Sequence, residues 1–431
     1  YTRESGMDGG RKSPAEVVAM IDAIGAVSLS KGTAISEART AYDALTDAEK
    51  KQVTNYDKLT AAEAAYAKLV AEMGKKLEEI YKTTGDYMSK LGTPGFGSVG
   101  GEWMTIGLAR SGRTVPAGYY DNVVKYVKEK ADANERLHRA KVTDNARVIL
   151  ALTAIGKDVT DVGGHNLLKG MDSMEFVQTQ GINGPIWTLI ALDSHNYPAM
   201  GDVTREKLIQ VILDAQLPGG GWNLSGENAD TDMTAMAIQA LAPYYKTNET
   251  VKAAVDKALE ALSALQRNDG GFGSWGTVNS ESCAQVIVAL TALGIDPATD
   301  SRFVKNGSTV LGALAGFYVD GGGFKHTADG ERNGMATEQG YYALAAYCRF
   351  ANAQTSLYDM SDVTIQTGGN TPANPDDPGK TDPSDPGKTD PTNPGTDTPA
   401  TGDTGVLVWV IALPVALLTA AFVLKRKERE A

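Results

Sequence analysis

Residues 143–156 read TDNARVILALTAIG, and residues 280–294 read SESCAQVIVALTALG. Both carry apolar residues at helical spacing and both close on Ala-Leu-Thr-Ala. Four other stretches follow the same plan: EWMTIGLARSG (102–112), GPIWTLIALDSHN (184–196), DTDMTAMAIQALAPY (230–244) and MATEQGYYALAAYC (335–348). Their marker leucines are Leu108, Leu152, Leu192, Leu241, Leu290 and Leu344, at intervals of 44, 40, 49, 49 and 54 residues. Each interval is expected to hold a second helix, as REKLIQVILDAQ (205–216) and VKAAVDKALEALSALQ (251–266) do. Six two-helix repeats of this length make a helical array, open or closed.

The residue before each marker leucine is Gly107, Ala151, Ala191, Ala240, Ala289 or Ala343. All are small, which is expected where helices approach closely. One turn earlier on the same face stand Trp103, Arg147, Trp187, Met236, Gln285 and Gln339. That face passes from tiny to bulky or polar, which predicts a funnel, narrow at one end and open at the other.

The turns between helices carry a second signature. Gln216 to Trp222 reads QLPGGGW and Gln266 to Phe272 reads QRNDGGF; DGGGF (320–324) is a partial copy and Gly95-Phe96-Gly97 a fragment. This pattern resembles the repeat of squalene–hopene cyclases and protein prenyltransferases, and also the α-domain of transcobalamin-type carriers. The resemblance covers about 260 residues. It implies an all-α fold, an α/α toroid of six inner and six outer helices, and transfers no reaction by itself.

The resemblance also suggests chemistry to weigh. Asp230-Thr231-Asp232-Met233-Thr234-Ala235 is similar to the Asp-x-Asp-Asp-Thr-Ala acid motif of class II terpene cyclases. On that reading Asp232 is the general acid and Asp230 belongs to the catalytic motif, with Met233 where the last Asp should be. Protonating an alkene needs a carboxylic acid kept protonated in a dry, supportive site. The alternative is structural: Asp230 caps an inner helix and Asp232 lies in its first turn, where negative charge is favoured. Asp144, Glu281 and Glu338 hold similar early positions. The candidate ligand-binding set is therefore Trp103, Asp144, Arg147, Trp187, Glu281, Gln285, Glu338 and Gln339.

Glu281-x-Cys283 echoes the zinc ligands of protein prenyltransferases, but the next inner helix has no His. With two cysteines and four scattered histidines, neither a metal site nor another cofactor is expected. A cobalamin carrier would need a second, β-rich domain, and none is expected before the stalk. Cys283 and Cys348 fall on helix levels too far apart for a disulfide, so two free thiols are predicted. The aromatics Trp222, Phe272, Trp275 and Phe324 are expected to pack turns onto inner helices or to line a cavity.

The full chain has 431 residues and a formal net charge of −12, which excludes binding nucleic acid through its phosphates. Residues 14–75 read as a helical-bundle spacer; Thr46-Asp47-Ala48-Glu49 is a capping box. The stretch 41–66 resembles bundle modules of Gram-positive surface proteins. The toroid is assigned to 76–355. Residues 363–405, rich in Pro, Asp, Thr and Gly with GKTDP twice, read as a disordered stalk. Residues 406–424, VLVWVIALPVALLTAAFVL, are long and apolar enough to cross a membrane, and the basic tail 425–431 orients the end inward.

Thr398-Pro399-Ala400-Thr401-Gly402 before that span resembles a Gram-positive sorting signal, with Thr398 where the family usually has Leu. It implies sortase cleavage between Thr401 and Gly402 and a bond to peptidoglycan. The expectation is a surface-anchored protein on the outside of a Gram-positive cell. Its toroid would bind a small molecule or surface partner without catalysis; a cyclase-like enzyme, a cobalamin binder and an adhesion module are the alternatives.

Overall fold

The computed structural model describes residues 11–366. The stalk from position 367 on, the motif 398–402 with Thr401 and Gly402, the apolar span 406–424 and the tail 425–431 lie outside the described residues. No helix among the described residues is long and apolar enough to cross a membrane.

The chain begins with α1 (Pro14–Ile24), α2 (Gly32–Asp43) and the short α3 (Asp47–Lys50). Ser13 with Glu16, and Thr46 with Glu49, form reciprocal capping boxes; each satisfies amides that a first turn leaves free. Helix α4 (Tyr56–Met88) is 33 residues long and unbroken across position 75. Its first half buries Leu59 and Ala62 in a small core with Val17, Ile21 and Ile35. Its second half buries Leu77, Ile80 and Met88 in the main core. One helix thus belongs to both the N-terminal bundle and the toroid.

The toroid contains α5 (Glu102–Arg110), α6 (Gly118–Lys130), α7 (Val142–Ala154), α8 (Met174–Val177), α9 (Asn183–Asp193) and α10 (Arg205–Asp214). It continues with α11 (Thr231–Leu241), α12 (Glu249–Leu265), α13 (Ser280–Ala292), α14 (Val310–Gly316) and α15 (Gly334–Ala351). Helices α5, α7, α9, α11, α13 and α15 each pack on the next, and α15 packs back on α5. The ring is closed. Gly107 on α5 fits the last seam closely: a Cβ there would stand 3.1 Å from the Tyr341 ring on α15. Tyr341 Oη also donates to Ser111 Oγ at 2.9 Å across the same seam.

Second elements alternate with the ring helices, but they are uneven. The interval before α9 holds no full helix, contrary to the expectation of one per interval. Residues 167–171 form a 3-10 turn, α8 has four residues and 178–180 form another turn. Gly170 packs closely here: a Cβ would stand 2.1 Å from the Asn145 amide and 2.4 Å from Glu135 O. The Asn145 amide donates to Leu167 O at 3.2 Å. Ser173 then caps α8.

The glycine-aromatic turns wedge each aromatic between layers. Trp222, Phe272 and Phe324 are fully buried. Trp222 Nε1 donates to Ile212 O at 2.7 Å, and its backbone amide donates to Thr234 Oγ1 at 3.0 Å. Thr337 receives the amide of Phe324 in the same way. Gly220 (φ +89°) lets the turn run against Lys257 O, which a Cβ would approach to 2.6 Å. Three two-stranded ribbons decorate these loops: β1–β2 (Gly273–Ser274, Thr277–Val278), β3–β4 (Val304–Lys305, Ser308–Thr309) and β5–β6 (Phe324–Lys325, Arg332–Asn333).

After α15 the chain does not leave the toroid at 355, nor has a stalk begun at 363. Residues 353–366 run as a strap beneath the C-terminal ends of the ring helices and bury Leu357 and Met360. Arg110 donates to the carbonyls of Leu357, Ser356 and Asp359. The strap ends with Gln366 N donating to Gly156 O at 2.9 Å. Apolar anchors and a buried guanidinium hold a segment whose neighbouring composition suggests a free tether.

Candidate functional site

The face one turn before the small residues converges as its spacing implies. Trp103, Arg147, Trp187, Met236, Gln285 and Gln339, one from each ring helix, line a single cavity of about 220 Å³. Thr143, Asn183 and Tyr342 complete it. Thr143 and Asn183 lie four residues before Arg147 and Trp187, so extending the same helical column by a turn would have found them; Asp232 and Glu281 occupy that position on α11 and α13. Tyr342 was not legible, because it projects from α15 beside Gln339 rather than in the column.

Three aromatic rings form one wall. Trp103 lies 5.2 Å from Trp187 and 5.9 Å from Tyr342, centroid to centroid. An amide chain joins this wall through Tyr342. Gln239 Nε2 donates to Gln285 Oε1 at 3.0 Å; Gln285 Nε2 donates to Gln339 Oε1 at 3.0 Å and to Tyr342 Oη at 2.7 Å. Tyr342 Oη in turn donates to Gln339 Oε1 at 3.1 Å. Such mutual bonding fixes each amide's orientation and leaves little rotamer freedom to lose on binding.

Arg147 is the one cation in the wall, and it is already paired. Its Nε donates to Glu102 Oε2 at 2.8 Å, and its Nη2 lies 3.3 Å from Asp144 Oδ1. Glu102 is fully buried, and burial pushes its carboxyl above the ordinary range while Arg147 pulls it back. The site thus presents aromatic faces and amides, with its one cation held between two carboxylates. Asn183, which lines the cavity, has its Oδ1 buried without a hydrogen-bond partner.

The carboxylates at the helix starts separate into distinct environments. Asp230 is the N-cap of α11, accepting from Met233 N at 2.9 Å and from the Ser274 hydroxyl. Asp232 is mostly buried and its Oδ1 has no partner. Burial pushes its pKa up to about 6, with repulsion from Asp230 and Glu281 adding to it and Ser282 opposing. Glu281 accepts from His326 Nδ1 at 2.9 Å and from Ser280 Oγ at 3.0 Å. Glu338 accepts from Gly100 N at 2.6 Å, while burial raises its pKa to about 7. None of Asp144, Asp232, Glu281 and Glu338 lines the cavity itself; they stand around it.

Cys283 does not join Glu281 in a metal site. It occupies the position that Thr234 and Thr337 hold on their helices, with its buried thiol against the backbone of Phe272. No cluster of three potential metal ligands exists among the described residues. Both cysteines are free and buried. Trp275, by contrast, is 73% exposed at the tip of the β1–β2 ribbon and packs no turn.

A larger cavity of about 1040 Å³ lies at the opposite end, between the C-terminal ends of α9, α11, α13 and α15 and the strap. It is remote from the carboxylates.

A ring of inner helices, glycine-aromatic turns and an axial cavity define the toroid class, and sequence comparison agrees. The family model for the prenyltransferase alpha-alpha toroid domain matches residues 139–356, just over half of the chain, and the chain belongs to that family. Among solved structures it is similar to ent-copalyl diphosphate synthase from Streptomyces platensis, at 21% identity over 57% of this chain and 49% of that one, with a TM-score of 0.39. It is also similar to Candida albicans protein geranylgeranyltransferase-I complexed with GGPP, at 12% identity over 62% of this chain and 87% of that one, with a TM-score of 0.42. The chain spans about half the length of the first of these, and neither likeness brings a reaction to it. No curated protein sequence matches the chain.

Proposed function

We propose that the toroid holds a small, neutral, ring-shaped polar ligand, such as a single sugar ring, in its axial cavity and does not transform it. The observation that carries this reading is the wall itself: the rings of Trp103, Trp187 and Tyr342 and the amides of Gln285, Gln339 and Asn183 around about 220 Å³. Aromatic faces stack on the apolar faces of a ring, and amides bond its hydroxyls. The volume equals roughly seven waters at ~30 Å³ each. It falls below the ~300–1,000 Å³ typical of drug-sized ligands, which favours a small guest over a long isoprenoid. The two carboxylates already on Arg147 disfavour an anion.

The surface-anchored setting belongs to the same proposal. The Pro-rich stalk, the sorting-type motif at 398–402 and the apolar span 406–424 support display on a Gram-positive cell, with peptidoglycan as the covalent partner.

A second reading takes Asp232 as a general acid, on its unpartnered Oδ1 and raised pKa. A carboxyl near pKa 6 suits proton transfer to oxygen or nitrogen better than to an alkene, and Met233 supplies no second carboxylate. Mass spectrometry of small molecules carried by the purified full chain tests both. A neutral ring compound lost from Trp103→Ala and Gln285→Ala supports binding; an isoprenoid product that depends on Asp232 would replace it. Titration with monosaccharides, followed by tryptophan fluorescence, gives the independent check, and no response from any ring would sink the reading.

A further inference from the structure

Two of the three ribbons turn in the same way, and only one of them uses the residue such a turn favours. In β3–β4, Lys305 pairs with Ser308, and Asn306 and Gly307 make the turn at φ +49° and +81°. In β1–β2, Ser274 pairs with Thr277, and Trp275 and Gly276 make it at φ +51° and +80°. Positive φ at both central residues defines a two-residue hairpin turn for which Asn-Gly is a preferred pair. A bulky side chain at positive φ is uncommon and carries strain. Asn306 is thus what local folding selects, and Trp275 departs from it. The departure is not offset by burial, since Trp275 is 73% exposed. Its indole makes no hydrogen bond or ring contact among the described residues. The fold does not account for this side chain.

We infer that Trp275 is a stacking platform for a neutral glycan strand, the outer part of a ligand whose terminal ring the axial cavity takes. The sugar class rests on the reading of that cavity as a site for a single ring. The ribbon is fixed at the matching end of the toroid. Ser274 donates to Asp230, and Thr231 Oγ1 donates to Gly273 O at 2.7 Å, which ties β1–β2 to the start of α11. Asn279, directly after β2, caps α13. These two helices supply Met236 and Gln285 to the cavity, and Trp103, Thr143 and Asn183 line it from the first turns of their own helices. The cavity therefore lies toward the end of the ring from which the ribbon projects. The surroundings select the occupant. Glu227, Asp230 and Asp232 stand on the loop and first turn that hold the ribbon, which disfavours an anionic bilayer or polymer. On the loops that open α11 and α13, Leu224 is the one other exposed large apolar side chain among the described residues. That is little for a protein interface, which takes about 800 Å² a side. A lone aromatic ring flanked by Gly273, Ser274, Gly276 and Thr277 suits the apolar face of one sugar.

The test compares the full chain with Trp275→Asn and Trp275→Ala, and with Trp103→Ala as the cavity control. The probes are glucose with cellohexaose, and N-acetylglucosamine with chitohexaose, titrated by calorimetry. Wild type should bind one hexasaccharide about threefold to tenfold tighter than its monosaccharide, the scale of one stacked ring. Trp275→Asn and Trp275→Ala should lose that increment and keep the monosaccharide affinity, whereas Trp103→Ala should lose the monosaccharide. Because asparagine suits the turn, Trp275→Asn should also raise the melting temperature, by about 1–2 °C. Hexasaccharide binding that depends on Trp275, with no monosaccharide bound by any protein, keeps the platform and removes the cavity reading. The platform is overturned if wild type binds neither hexasaccharide, shows no increment, or keeps its increment in Trp275→Asn. A lower melting temperature for Trp275→Asn overturns it too, by giving the indole a role in the fold. So does a concentration-dependent dimer that Trp275→Asn disperses, which would assign the ring to a second copy of the chain.

Discussion

The carboxylate of Glu338, on the last ring helix, accepts a 2.6 Å hydrogen bond from the amide of Gly100, on the loop that opens the first. The two residues stand 238 positions apart, so this contact exists only once the ring has closed. It also leaves Glu338 Oε2 buried without a partner.

Burial and the neighbouring Glu102 raise the pKa of Glu338 to about 7, from an ordinary 4.5. A carboxyl with a raised folded pKa binds more protons folded than unfolded, so it stabilises the fold at low pH. That contribution is lost as pH rises from about 4.5 through 7. Glu338→Gln should therefore stabilise the chain at pH 8 by on the order of 2 kcal/mol and leave it nearly unchanged at pH 4. Denaturant unfolding at the two pH values measures this; equal effects at both would remove the ionisation from the explanation.

Asp232 should behave alike over a lower window. Its folded pKa of about 6 stands above the ordinary 3.8, so ionised Asp232 costs stability above that range. Asp232→Asn should raise the melting temperature at pH 8 and not at pH 3.5. A loss of stability at pH 8 would mean that the carboxylate is held by a partner.

Arg110 and Arg349 are both buried and share one carboxylate, Asp362, at 2.8 and 2.6 Å. Asp362→Asn leaves two buried guanidinium groups without a counter-charge. The cost should be about 2 kcal/mol, less than the ~3–5 of a fully buried pair because Asp362 reaches water. Hydrogen exchange should show 353–366 losing protection before the ring helices do. The guanidinium groups hold the Asp362 carboxyl below its usual range. Acid should therefore loosen the strap only below that range.

Burial pushes the Cys283 thiol up to about 12 and the Cys348 thiol up to about 11. Thiolate is the reactive form, so the native chain should resist iodoacetamide at pH 8 and take up two labels once denatured. Rapid labelling of either cysteine in the native chain would show that its helix opens.

Repeat number, the ring helices and the cavity column were legible because they depend on local spacing. A residue every 3.6 positions faces one way, so Trp103, Arg147, Trp187, Met236, Gln285 and Gln339 could be aligned by counting back from a leucine. The capping box at Thr46 is equally local, being closed within four residues. The irregular interval at 167–180 was hidden, because the side chain that meets it, Asn145 bonding Leu167 O, lies 22 residues away in sequence.

By itself, then, the sequence determined the helices, their repeat and the chemical character of the axial face, since each follows from side chains within a few turns of one another. The tertiary structure alone decided what that face encloses. Closing the ring brought Glu338 to Gly100, paired Arg147 with Glu102, and drew the strap back beneath the ring helices so that Tyr358 met Trp187. Those are contacts between residues tens to hundreds of positions apart, and only the packing of the complete ring selects them.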